Sequence, residues 1–187
     1  MEKTVEIPEG VEVRIENKTI TVRGPKGEIS KDFSTPLFDR KVSIEKTNGN
    51  VKITSTVDNR KTLAFVNTIA AHVRNMVIGV TRGYKYTMKI HYVHFPITVE
   101  ISKQGNETKL EVKNFLGRKK PIVIKVRDVD VKLENDYIII RGIDKEKVGE
   151  AVNRIERSCR IYREHDRRIF QDGIFLVKKE IDEGEER

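Results

Sequence analysis

Apolar and polar residues alternate along the first third of the chain, and the alternation predicts strands. Val11, Val13 and Ile15, then Ile20 and Val22, recur at every second position, as residues on one face of a pleated strand do. Val42 and Ile44, then Val51 and Ile53, repeat the pattern around Asn48-Gly49, a pair suited to a tight primed turn. The period changes after Asp58. Leu63, Val66, Ala70, Val73 and Val77 recur at steps of three and four, which predicts an amphipathic helix capped by Asp58 and ending before Gly79.

The same order then returns. Val99 and Ile101, Leu110 and Val112, and Ile122, Ile124 and Val126 alternate. Val129 to Gly142 predicts a hairpin turning at Asn135-Asp136, and Asp144 caps a second helical stretch carrying Val148, Val152, Ile155 and Cys159. With Asp58 placed on Asp144, Val66-Asn67 falls on Val152-Asn153, Ile69 on Ile155 and Arg74 on Arg160; Gly24 to Gly27 falls near Asn114 to Gly117. Val11 to Gly24 also matches Val129 to Gly142, but the register that includes the helix preserves element order over most of each half. After each helix a glycine opens another strand-like run, Gly83 to Ile90 and Gly173 to Val177. The reading is an α+β protein made by tandem duplication, each small domain being antiparallel sheets packed with one helix. Residues 1–94 form the first repeat, 95–179 the second, and 180–187 an acidic tail, with Pro96 interrupting the ladder near the boundary.

Charge narrows the partners. The 187 residues hold 37 Lys and Arg against 29 Asp and Glu, a net charge of +8, which favours a polyanion. Its distribution says more: no acid occurs from Asn59 to Val99, and Lys113 to Arg127 carries six bases and no acid. Cys159 is the only cysteine, so neither an intrachain disulfide nor a cysteine zinc cluster is possible. No leader-type segment opens the sequence, and no apolar run approaches the roughly 20 residues of a membrane span. A cytoplasmic protein with no membrane partner is expected.

Few motifs carry chemistry. There is no phosphate-cradling glycine loop, and GPKG at Gly24 lies between strands, where a hairpin turn accounts for it. His91 and His94, three apart in an extended run, face opposite sides and do not chelate one ion. Neither a metal, a cofactor nor a small-molecule substrate is expected. His165 beside Asp166 is the one candidate acid/base pair, and it keeps open an RNA-processing enzyme; exposed strand edges keep open a protein-interaction module. The loop Gly117 to Pro121 and the segment Arg157 to Phe175 differ from ordinary solvated charge. They set Arg118, Lys119, Lys120, Arg160, Arg163, Arg167 and Arg168 among Phe115, Tyr162, Phe170 and Phe175. Guanidinium forks match phosphate oxygens, and rings stack on exposed bases or pack inward.

RRIFQDGIF at Arg167 to Phe175 resembles the C-terminal signature of the archaeal and eukaryotic branch of the universal large-subunit ribosomal protein L-six family, called L-nine in older eukaryotic naming. HVRNMVIGVTRGYKYTMKIHYVHFPI at His72 to Ile97 resembles that family's central segment, and the similarity spans nearly the whole chain. The resemblance implies a non-catalytic constituent of the large ribosomal subunit. Its partners would be large-subunit ribosomal RNA, near the sarcin-ricin loop where translation factors dock, and neighbouring ribosomal proteins. It carries Arg167, Arg168, Phe170 and Gln171 over as RNA contacts, with Asp172 shaping the turn beside Gly173. Arg118, Lys119 and Lys120 match the family's basic loop in character, and Arg160, Arg163 and His165 complete the expected surface. Arg157 stands where the family often has Gln, and the connection to Arg167 is a residue longer than usual.

Overall fold

All strand pairings described in the computed structural model are antiparallel, and the pairing divides the chain into two units, Met1–Gly83 and Tyr84–Arg187. The residues described are 2–34, 42–47, 49–57, 59–161, 166 and 168–182. The architecture is α+β, small antiparallel sheets with one helix in each unit.

In the first unit β1 (Glu2–Glu6) precedes a meander of β2 (Glu12–Glu16), β3 (Thr19–Gly24) and β4 (Gly27–Asp32). The hairpin β5 (Val42–Thr47) and β6 (Asn50–Ser55) follows, then α1 (Arg60–Thr81). The predicted alternation is what the register uses: Val13 faces Val22, Ile15 faces Ile20, and Ile44 faces Ile53. β1 joins β6 with Val5 opposite Val51, giving the order β1-β6-β5. Against these faces α1 buries Val66, Ile69, Val73 and Val80, none more than 1% exposed. Each such side chain contributes roughly 1.5–3 kcal/mol of transfer free energy.

Both ends of α1 differ from the sequence expectation. The cap is Asn59, whose side chain accepts from the Lys61 N–H at 3.3 Å; Asp58 lies outside the described residues, as does Asn48 of the predicted turn. The helix continues through Gly79, which is buried, because Val80 is the next core residue of the stripe. It stops where Gly83 adopts φ 87° and the N–H groups of Arg82 and Gly83 both reach the Ile78 carbonyl. At 22 residues α1 does have the length and apolarity of a membrane span, contrary to the reading above, but its apolar stripe is spent on the core of this unit. The GPKG turn packs on the same helix end: the Lys26 N–H donates to the Val80 carbonyl at 2.9 Å, and the Lys26 ammonium donates to the Arg82 carbonyl. A lysine on the terminal carbonyls satisfies acceptors that the helix leaves open.

The second unit repeats the plan. β7 (Tyr84–His91) precedes a meander of β8 (Thr98–Gln104), β9 (Glu107–Lys113) and β10 (Ile122–Arg127), with a 3₁₀ turn at Phe115–Gly117. The hairpin β11 (Asp130–Glu134) and β12 (Tyr137–Gly142) then leads to α2 (Lys145–Ser158) and β13 (Gly173–Ile181). Asp144 caps α2 by accepting from the Glu146 N–H at 2.8 Å, and Val148, Ala151, Val152 and Ile155 line its buried face. β7 stands to β12 as β1 stands to β6, each pairing with the second strand of the hairpin before the helix. The run after α1 therefore enters the sheet β11-β12-β7-β13. Glu180 and Ile181 belong to β13, and residues 183–187 lie outside those described.

A close approach in the first unit gives a test. A Cβ on Gly24 would lie 2.7 Å from Val80 Cγ2 and 2.9 Å from the Val80 carbonyl oxygen, so Gly24→Ala should destabilise by about 1–3 kcal/mol. Gly149, in α2 with open space around it, should instead gain about 0.5–1 kcal/mol as Gly149→Ala. Urea unfolding midpoints of the two variants should move in opposite directions.

Candidate nucleic-acid interface

The loop 92–97, between β7 and β8, organises the candidate surface of the second unit. Four of its groups are engaged. The Val93 N–H donates to Asp172 Oδ1 at 2.8 Å, across 79 residues of sequence. The His94 ring lies on Phe170, centroids 4.6 Å apart and planes inclined by 32°. The Phe95 ring lies against Gly117, 3.4 Å from where a Cβ would be, and Gly117 has φ 72°. The Pro96 carbonyl accepts from Asn114 Nδ2 at 3.1 Å. The basic loop after the 3₁₀ turn and the segment after α2 are thus both anchored to one short stretch of chain. Asp172 is 1% exposed and serves this distant tie, rather than the local turn with Gly173 that the sequence suggested.

Local chemistry shapes the segment after α2. The Cys159 N–H closes the helix on the Ile155 carbonyl, and Cys159 and Ile161 are buried, which turns Arg160 between them outward. Asp166 Oδ1 accepts from the Arg168 N–H at 2.9 Å, and its carbonyl accepts from the N–H groups of Ile169 and Phe170. Such a turn is what an aspartate side chain favours. One oxygen of the carboxylate considered for acid/base work thus holds a backbone turn. Gly173 leaves room for the Phe175 ring, which a Cβ there would approach to 2.7 Å.

The expected contacts separate as follows. Arg118, Lys119 and Lys120 are exposed beyond the 3₁₀ turn; Arg160, Arg168 and Gln171 are exposed after α2; Phe170 is half-buried on His94. Tyr162, Arg163, His165 and Arg167 lie outside the described residues. Phe115 is 2% exposed, so it is a core residue and not a stacking platform. Arg157 and the aromatic Tyr92 and Phe95 join the surface without having been singled out for it. The clue was the apolar Tyr92-Val93-His94-Phe95-Pro96 run, which reads as a boundary until Asp172 and Gly117 are seen against it.

Many cations of the unit are committed: Lys113 to Glu100, Lys125 and Arg127 to Glu107, Lys147 to Asp128, Arg154 to Glu150. Those partners hold the Glu107 and Asp128 carboxyls below their usual range, chiefly through the Arg127 and Lys147 hydrogen bonds respectively. Lys89 and Lys132, exposed on β7 and β11, have no carboxylate partner among the described residues. Among the described residues Lys119, Lys120, Arg160 and Arg168 have no carboxylate partner. Beside them, between the end of α2 and the Phe170–Phe175 stretch, lies a groove of about 500 Å³. No group of three or more metal-ligating side chains occurs among the described residues.

Comparison with known proteins follows the same outline. A family profile described as Ribosomal protein L6 matches residues 7–83. The chain is similar over nearly its whole length to proteins named large ribosomal subunit protein uL6. That of Methanothrix thermoacetophila is 42% identical over 95% of this chain and 96% of its own; that of Ignicoccus hospitalis is 44% identical over 95% and 94%. That of Desulfurococcus amylolyticus is 43% identical over 94% and 92%.

Burial pushes the Cys159 thiol up to about 12, so the nucleophilic thiolate is suppressed in the folded chain. Reaction with an aromatic disulfide reagent at pH 8 should be slow, and should become fast only in denaturant. Because the folded value is raised, the stabilisation is whole below the unfolded value near 9 and is lost as pH climbs towards 12.

Proposed function

Because the chain belongs to the ribosomal protein L6 family, we propose that it is a constituent of the large ribosomal subunit whose second unit grips large-subunit ribosomal RNA. The observation that carries the reading is a set of exposed cations without carboxylate partners among the described residues, Lys119, Lys120, Arg160 and Arg168, on two segments anchored with exposed rings to one loop. A surface left with uncompensated positive charge attracts phosphate, and its forked guanidiniums bind phosphate oxygens in pairs. Phosphate contacts position such a protein on folded RNA, and shape rather than base sequence supplies most of the fit.

The contacts in this reading are Arg118, Lys119, Lys120, Arg160, Arg163, His165, Arg167, Arg168, Phe170 and Gln171. Arg157 is added from its place beside Arg160. The RNA region is the neighbourhood of the sarcin-ricin loop, with translation factors docking nearby and other large-subunit proteins as neighbours. No bond is made or broken: the family is structural and not enzymatic.

If about six phosphates are engaged, log affinity for the cognate RNA should fall with log salt at a slope of roughly −4 to −5. The pair Arg167→Ala with Arg168→Ala should weaken binding and flatten that slope by about one to two. Co-sedimentation with large subunits across a salt series reads both quantities, and an undiminished slope would remove these residues from the interface. Binding that survives high salt and nuclease would point instead to a protein partner.

A further inference from the structure

Asp172 has one oxygen satisfied and one without a partner. Oδ1 accepts from Val93, whereas Oδ2 is buried and has no hydrogen-bond partner among the described residues. An isolated acceptor of this kind is costly, and one in a charged side chain more so. Asp172 also forms part of the wall of the groove at the end of α2, together with Arg157, Arg160, Phe170, Gln171 and Phe175. The groove's volume of about 500 Å³ falls within the roughly 300–1,000 Å³ of small-ligand sites. A half-buried ring, an exposed ring, two arginines and a carboxylate with one oxygen lacking a donor form one constellation.

We infer that this groove receives an unpaired guanine nucleotide, its base edge donating to Asp172 and its phosphate held by Arg157 and Arg160. The inference rests on the RNA-binding reading and gives that surface a base-specific point. Guanine has adjacent N1–H and 2-amino donors on one edge, which suits a carboxylate. Adenine and cytosine each set a ring acceptor beside their amino group, and uracil flanks its single N–H with carbonyls; each of those acceptors would face the carboxylate oxygens with like charge. Phe170 and Phe175 supply apolar surface and ring faces, and base stacking on such rings tolerates any base, so the preference falls to Asp172. Glu156 also lines the groove, and the arginines oppose its repulsion of phosphate. Oδ2 is covered in the free chain, so a base that reaches it must move a neighbouring side chain.

The full chain, labelled with nitrogen-15, would be titrated with GMP, AMP and IMP. GMP should shift the amide signals of Val93, Gln171 and Gly173 and bind about tenfold or more tightly than AMP, as expected for hydrogen bonds to a charged acceptor. IMP, which lacks the 2-amino group, should fall between them. Asp172→Asn should abolish the preference, with circular dichroism checking that the fold survives. Should that variant fail to fold, the exposed Arg160→Ala serves instead: it should weaken GMP several-fold and leave the nucleoside guanosine unchanged. Equal affinity for GMP and AMP, or no response at these three amides, would overturn the inference. Salt-sensitive binding of the same sample to large-subunit ribosomal RNA would then leave the broader reading standing, and its absence would remove both.

Discussion

The hydrogen bond from the Val93 N–H to the Asp172 carboxylate is the constraint on which the candidate surface depends. It joins the loop after the first strand of the second unit to the residues that enter its last strand, with the acceptor Asp172 buried and Val93 exposed. Around it the loop 92–97 acts as a shared anchor: Phe95 rests on Gly117, His94 on Phe170, and Pro96 accepts from Asn114. Two basic segments that are distant in sequence are held by one short piece of backbone. On the proposed reading this favours binding, because the entropy of ordering charges that meet a polyanion is then met by folding rather than by binding.

The same economy governs where positive charge is left open. In the second unit most lysines and arginines outside the surface lean on a neighbouring carboxylate, as Lys147 does on Asp128 and Lys113 on Glu100. Exposed pairs of this kind contribute little to stability. Their larger effect is on the field: they cancel charge where they form, and Lys119, Lys120, Arg160 and Arg168 are among the cations they leave uncancelled.

Much of the fold was legible in the sequence because it rests on local periodicity. The period-two runs of Val13, Val22, Ile44 and Ile53 became paired core faces, and the duplication follows from the hairpin-then-helix order found twice. What was not legible depended on distant partners. Nothing local says that Tyr84 to His91 pairs with a hairpin about fifty residues later, or that Gly79 is helical because Val80 still has a core to fill. The surface divides likewise. The basic character of Arg118 to Lys120, Arg160 and Arg168 could be read locally, whereas the choice of Phe115 to pack inward depended on the core, and Asp172 took a partner 79 residues away that no spacing announces.

The placement of β13 bears on how the chain is born. β7 is completed early in the second unit, but one of its flanks stays open until β13 has been made, more than eighty residues later. Contacts so distant in sequence form slowly, since a long loop must close before they are rewarded. The first unit, whose strands and helix are all contiguous, is free to settle while its sister is still emerging from the exit tunnel. On the proposed reading, a nascent chain would complete its candidate RNA surface only near the end of its own translation.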